Sequence, residues 1–256
     1  AVLVQYDHDA EAFVLFRRMY LEGIQPNSMS YMHILHACAD ARNLRAGLAI
    51  HTAILGAGCE HHKVLNTTLI NMYTRCGSIS LAVQVFHSLS HHDNISWTMM
   101  IAAFSRRGHF SSALLCFYQM QSECIRPDNI TFICTVDACA GLRAGKDGLQ
   151  LHAAIVESEH AGDVMLLNAL LNMYIKCGYI HDAWRAFDSL CSHDDLSWNT
   201  MLEALSDYGY HKESMCFFLQ VLQRDQKPNA SSYACVINAC TKLLAFEQGK
   251  MLHAGI

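Results

Sequence analysis

The sequence predicts an all-α protein, an α-solenoid of stacked helix–turn–helix pairs with a right-handed superhelical sweep, and three observations carry that expectation. The stretch "NMYTRCGSI" at Asn71–Ile79 is written again as "NMYIKCGYI" at Asn172–Ile180, an interval of 101 residues. Single residues keep the same interval: Pro26, Pro127 and Pro228; Cys38, Cys139 and Cys240; Gly47, Gly148 and Gly249; His51, His152 and His253; Trp97 and Trp198. Residues 28–128 laid over 129–229 without a gap agree at roughly a third of positions, which marks an internal repeat. The third observation is apolar spacing at i, i+3, i+4 and i+7, the signature of amphipathic helices, broken by short turns.

Each period divides into three helix pairs. "SYMHILHACADARNL", "NTTLINMYTRCGSI" and "ISWTMMIAAFSRRGHF" are first helices. "AGLAIHTAILGAG", "SLAVQVFHSLS" and "SSALLCFYQMQ" are their partners. Gly77, Gly108, Gly178 and Gly209 fall at the internal turns, where a helix C-terminus favours glycine. The pairs run 28–62, 63–93, 94–128, 129–163, 164–194 and 195–229, with partial pairs at 1–27 and 230–256. One hairpin cannot hide its own apolar stripe, whereas stacked neighbours can. Met72, Tyr73 and Cys76 therefore recur because each period must offer its neighbour the same packing surface.

Composition narrows the function. The 256 residues are 52% hydrophobic and 16% charged, yet no run nears the roughly eighteen apolar residues of a membrane span. A net charge of −5 and a pI of 6.3 argue against a non-specific hold on nucleic acid and leave selective binding in a local groove open. The twelve cysteines lack any C-x-x-C spacing and sit in apolar helical runs, which reads as small buried thiols in a reducing compartment. The chain opens without Met inside one helical run and stops at "LHAGI" inside another, so it reads as a fragment.

The unit lengths and phrases resemble the plant pentatricopeptide repeat family, in its subclass of alternating P, L and S repeats. "NISWTMMIAAFSRRGHFSSALLCFYQMQSECIRPD" resembles a P repeat, "FICTVDACAGLRAGKDGLQLHAAIVES" an L repeat with its A-C and G-x-x-x-H signature, and "LLNALLNMYIKCGYIHDAWRAFDSL" an S repeat. The related tetratricopeptide pattern W-x-x-L-G-x-x-Y is absent. The resemblance assigns 1–27 as a partial P repeat, 28–62 as L, 63–93 as S, 94–128 as P, 129–163 as L, 164–194 as S, 195–229 as P and 230–256 as a partial L repeat.

This resemblance implies sequence-specific binding of single-stranded RNA, one base per repeat, in a mitochondrion or chloroplast. The fifth and last residues of a unit would read the base edge, and the apolar second residue would clamp the base. Carried onto this chain, Thr67 with Asp93 and Thr98 with Asp128 resemble guanine readers. Asn168 with Asp194 resembles a uracil reader, and Asn199 with Asn229 a pyrimidine reader that prefers cytosine. The clamps would be Val64, Ile95, Met165 and Leu196. Met32 with His62 and Ile133 with Asp163 place an apolar side chain at the reading position, so they receive no base. The implied track across 63–229 is G, G, any base, U, pyrimidine.

Simpler roles compete at several residues. Asn or Asp before a helix is usually a cap, which can coexist with base contact. Trp97, Trp198, Tyr73 and Tyr174 read as core, and His51, His152 and His253 as packing or polar-edge groups. The sixteen histidines, including His61–His62 and His91–His92, lack zinc-ligand spacing, and no metal or cofactor is expected. "HKE" at His211–Glu213 matches only the start of the zinc-deaminase signature, with no P-C-x-x-C after it. "GLRAGKDG" lacks G-K-[ST] and a preceding strand. No covalent chemistry is assigned to any residue. An editing or processing enzyme acting in trans would supply it for the most natural role, site selection in C-to-U RNA editing. The alternative is a tetratricopeptide-like peptide-binding scaffold. Such a groove would line its inward positions with Lys, Arg or large apolar pockets, whereas the fifth positions here hold Thr and Asn.

Overall fold

The computed structural model describes residues 2–59, 62–189, 195–223 and 229–243. Fourteen helices and no strand are found among the described residues. A lead helix α1 (Val2–Leu21) is followed by pairs of a first and a second helix. These are α2 (Ser28–Asp40) with α3 (Leu44–Gly56), α4 (Lys63–Arg75) with α5 (Ile79–His87), and α6 (Asn94–Arg106) with α7 (Phe110–Ser122). Then come α8 (Asn129–Leu142) with α9 (Gly145–Val156), α10 (Val164–Cys177) with α11 (Ile180–Asp188), α12 (Asp195–Asp207) with α13 (His211–Gln223), and α14 (Ala230–Lys242). No described helix is long and apolar enough to cross a membrane.

The chain forms two compact units, Ala1–Thr131 and Phe132–Ile256. In the first, α2, α4 and α6 pack side by side as one layer, and α3 and α5 each touch the first helix of the following pair. In the second, α10, α12 and α14 form the same kind of layer, backed by α9, α11 and α13. This is the α-solenoid arrangement expected from the period.

The turn inside each pair follows from φ. Gly77, Gly108, Gly178 and Gly209 have φ of +86°, +75°, +79° and +80°, the left-handed region in which a side chain is strained. Arg42 and Arg143 occupy the equivalent turns after α2 and α8 at +50° and +54° without being glycine. They are 101 residues apart, so an arginine in a strained turn is itself periodic.

The repeated "NMY" phrase gains its meaning at the seam between pairs. Met72 and Tyr73 lie on α4 and are fully buried. A Cβ on Gly47 of α3 would stand 2.4 Å from Met72 Sδ, so only glycine admits the thioether at its present position. Four residues on, His51 Nδ1 lies 2.7 Å from the Tyr73 hydroxyl. A Cβ on Gly148 would stand the same 2.4 Å from Met173 Sδ, and His152 Nδ1 lies 2.6 Å from the Tyr174 hydroxyl. The G-x-x-x-H of one pair and the M-Y of the next are two halves of one interface. Gly249 and His253 lie outside the described residues.

Trp97 and Trp198 are buried, as expected of core residues. Trp97 meets Phe86 edge-on at 4.7 Å, and Trp198 meets Phe187 at 4.9 Å and Phe217 at 4.8 Å. The cysteines divide more evenly than their apolar setting suggests. Cys38, Cys139 and Cys240 are buried, Cys124 and Cys216 are exposed, and the other described thiols are half-buried. Helix periodicity explains the difference, because an apolar run still turns some of its residues to solvent. Burial pushes the Cys38 and Cys139 thiols up to about 12, so both stay protonated and unreactive.

Burial also holds the His51 and His152 imidazoles below their ordinary value, because it penalises the cation. The folded protein therefore binds those protons less readily than the unfolded chain. Stability from these neutral rings is complete above the ordinary imidazole pKa of about 6.5 and declines as pH falls through that value towards the lowered one. Thermal melts at about pH 7.5 and about pH 5 should show a smaller pH-dependent loss of Tm in a His51→Gln/His152→Gln variant than in the unaltered chain.

Candidate nucleic-acid interface

The described residue before a first helix is its cap. Asn27 accepts from the Ser30 N–H at 2.9 Å, Asp93 from Ser96 at 2.9 Å, Asp128 from Thr131 at 2.8 Å, Asp163 from Leu166 at 2.9 Å and Asn229 from Ser232 at 2.8 Å. His62 accepts from Leu65 through Nδ1 at 3.4 Å. Capping therefore accounts for the residue type here, including at His62 and Asp163, to which no base was assigned. Each Asp or Asn cap uses one side-chain atom for the helix and leaves the other for a second partner.

Thr98 and Asp128 come together in the first unit. With Ile95 and Ile130 they line a cleft of about 660 Å³ beside α6. Ile95 is 57% exposed and Ile130 56%, well above what helix packing alone would leave of an isoleucine. Thr98 is 8% exposed, at the floor of the cleft. Its hydroxyl lies 2.6 Å from that of Thr131 and donates to Asn94 Oδ1 at 2.9 Å, and Thr131 donates to Asp128 Oδ1 at 2.7 Å.

The wall of this cleft is basic. Arg42, Arg75, Arg106 and Arg107 line it, against the single carboxylate of Asp128. Arg75 is paired with Asp40 at 2.5 Å. The acidic net charge of the chain thus conceals a local positive groove. Residue-type counts hide this, and the period carries half of it: Arg42 recurs as Arg143 and Arg75 as Lys176, whereas Asp207 and Tyr208 stand where Arg106 and Arg107 would recur.

Thr67 and Asp93 are joined by Lys63. Thr67 donates to the Lys63 carbonyl at 3.0 Å, and the Lys63 ammonium sits 3.2 Å from Asp93 Oδ2. Burial alone would raise the Asp93 pKa. Hydrogen bonding with Ser96 and the Lys63 ammonium outweigh it and hold the carboxyl below its ordinary value. Val64, one residue past Lys63, is 51% exposed.

In the second unit Met165 and Asn168 line a cleft of about 450 Å³ with Asn172 and Thr200. Met165 is 71% exposed. Asn199 and Asn229 are linked by the Ser232 hydroxyl, which donates to Asn199 Oδ1 and lies 3.0 Å from Asn229 Oδ1. Asp194 and the Leu196 side chain lie outside the described residues. Sequence reasoning passed over Ile130, Asn71 and Asn172, which also line these clefts. The signal was available, since Asn71 and Asn172 open the repeated "NMY" phrase. Among the described residues no three His, Cys, Asp or Glu side chains gather as metal ligands would.

Family models match most of the chain. The pentatricopeptide repeat domain model matches 14–73, the PPR repeat family model 92–141, and the PPR repeat model 67–92, 166–194 and 196–225. The chain belongs to the pentatricopeptide repeat family. It is 31% identical to a chloroplastic pentatricopeptide repeat-containing protein of Arabidopsis thaliana, over 96% of this chain and 30% of that protein. A mitochondrial member from the same plant is 31% identical over 98% of this chain and 33% of its own length. The chain thus spans about a third of the length of these curated relatives. Among solved structures, the maize pentatricopeptide repeat protein PPR10 superposes with a TM-score of 0.81 at 19% identity, covering 98% of this chain and 36% of that one. PPR10 in complex with an 18-nt psaJ RNA element superposes at 0.67 with the same identity, covering 95% and 36%. At that identity the likeness is one of fold.

Capping and ligand contact can be separated at Asp93. Asp93→Ala removes the cap acceptor and should cost about 1 kcal/mol in urea denaturation, while Asp93→Asn keeps it and should recover most of that loss.

Proposed function

We propose that this pentatricopeptide repeat chain binds single-stranded RNA sequence-specifically, one base per repeat. In this reading its repeats are the alternating P, L and S kind, and it selects sites for organellar RNA processing in a mitochondrion or chloroplast. C-to-U editing is the outcome we favour, with the chemistry supplied by an enzyme in trans. The observation that carries the reading is the first-unit cleft, where exposed Ile95 and Ile130 flank the polar floor of Thr98 and Asp128 beneath an arginine wall. Apolar side chains suit a base's faces, the hydroxyl and carboxylate suit its edge, and guanidinium groups suit the phosphates. The assigned pairs remain Thr67 with Asp93, Thr98 with Asp128, Asn168 with Asp194 and Asn199 with Asn229, clamped by Val64, Ile95, Met165 and Leu196.

The arginine wall also suits an acidic peptide, the tetratricopeptide-like alternative. The floor argues the other way, because Asp128 beside the arginines would repel a peptide carboxylate and accepts well from a base N–H.

Selection from randomised single-stranded RNA should recover G, G, any base, U, pyrimidine. Thr98→Asn should move the second position from G towards U by about tenfold in a binding competition, the worth of one hydrogen bond to a base edge. Recovery of no consensus, together with binding of polyglutamate, would transfer the chain to the peptide-binding class. Arg106→Gln should weaken every RNA alike and flatten the salt dependence by about 0.7 in log–log slope, one phosphate contact's share on a single strand.

A further inference from the structure

We propose that the hydroxyl at the third residue of the following first helix, Thr131 in one pair and Ser232 in another, sets which base the preceding pair reads. The inference rests on the RNA-reading function proposed above and concerns residues that would not touch RNA. Thr131 is completely buried, yet its hydroxyl stands between the two reading side chains, 2.6 Å from Thr98 Oγ1 and 2.7 Å from Asp128 Oδ1.

Hydrogen counting fixes the directions. An ionised carboxylate only accepts, so the one hydrogen of Thr131 points at Asp128. The contact with Thr98 must then be made by the Thr98 hydrogen, which is drawn inward to Thr131 and to Asn94 Oδ1. Both readers turn lone pairs to the cleft. Two adjacent acceptors match the guanine edge, where N1–H and the N2 amino group are neighbouring donors; adenine, cytosine and uracil each interrupt that pattern with an acceptor.

The same placement gives the opposite pattern around Ser232. Its hydroxyl donates to Asn199 Oδ1, and its backbone N–H donates to Asn229 Oδ1. Both amides therefore turn their carbonyls inward and leave their NH₂ groups for the cleft. Two adjacent donors match the O2 and N3 acceptors of cytosine and meet a donor at N3 of uracil. The sequence holds an independent trace of this coupling. Where the preceding fifth residue is Thr or Asn, at Thr67, Thr98, Asn168 and Asn199, the third residue of the next unit is Ser96, Thr131, Ser197 or Ser232, although the Ser96 hydroxyl donates to the Asp93 backbone carbonyl and Thr67 to that of Lys63. Where the fifth residue is apolar, at Met32 and Ile133, the third is Leu65 or Leu166.

The test uses the whole chain and short single-stranded RNAs that differ only at the base facing 94–128. Thr131→Val keeps the branched shape and the backbone cap but removes the hydroxyl. It should lower the preference for G over A at that base about tenfold, with the base facing 63–93 read as before, and Thr131→Ser should restore it. Ser232→Ala should bring C and U towards parity at the base facing 195–229. A merely structural role would lower affinity for all these RNAs together and leave the ratios alone, and that result would overturn the inference. Failure of the unaltered chain to bind any of the RNAs would instead remove the function on which it rests. Should Thr131→Val melt below the assay temperature, the ratios in Thr131→Ser and Ser232→Ala decide the matter alone.

Discussion

The seam between successive helix pairs is the constraint on which the rest depends. A methionine lies where only a glycine leaves room, and a tyrosine hydroxyl meets an imidazole one turn further along. At the α3–α4 and α9–α10 seams the glycine–thioether contact limits the distance between helices, and the hydrogen bond fixes their register. Register matters because side chains of successive pairs meet at the reading groups, as Thr98 does with Thr131. Thr98 stands on α6, while Asp128 and Thr131 stand at the start of α8. A slip of one residue along the helices, 1.5 Å, would exceed the tolerance of the 2.6 Å and 2.7 Å contacts between them.

Much of this could be read from the residues in order. The period of 101, the apolar spacing and the turn glycines together imply stacked hairpins, since no hairpin of this composition could bury its own stripe. Capping was legible because an Asn or Asp before an apolar run has a local partner three residues on, as at Asp93 and Ser96. What stayed hidden lies between residues far apart in sequence. Thr98 and Thr131 are 33 positions apart, and nothing in either local run says that their hydroxyls meet. The bond of Asp93 to Lys63 spans 30 positions and was missed for the same reason. Net charge left a local groove open but could not place it, because a net value averages over the surface while Arg42, Arg75, Arg106 and Arg107 gather on one wall. Arg42 was hardest to foresee, since it takes a left-handed turn in which glycine is the ordinary choice.

The burial of Thr98 bears on how such a floor could discriminate. A well-hydrated hydroxyl exchanges a water for any base that can bond it and gains little net energy. A threonine that is 8% exposed, with its hydroxyl hydrogen held inward, has little water left to lose. A base that presents a donor completes its bonding. One that presents an acceptor sets lone pair against lone pair at a nearly buried residue, and that mismatch costs more than the match gains. Rigidity strengthens the effect, because the Asp128 oxygen held by both the N–H and the hydroxyl of Thr131 is not free to turn towards a wrong edge. Selectivity at such a floor would therefore come chiefly from rejecting unsuitable bases, while the exposed isoleucines and the arginines supply an attraction common to all of them.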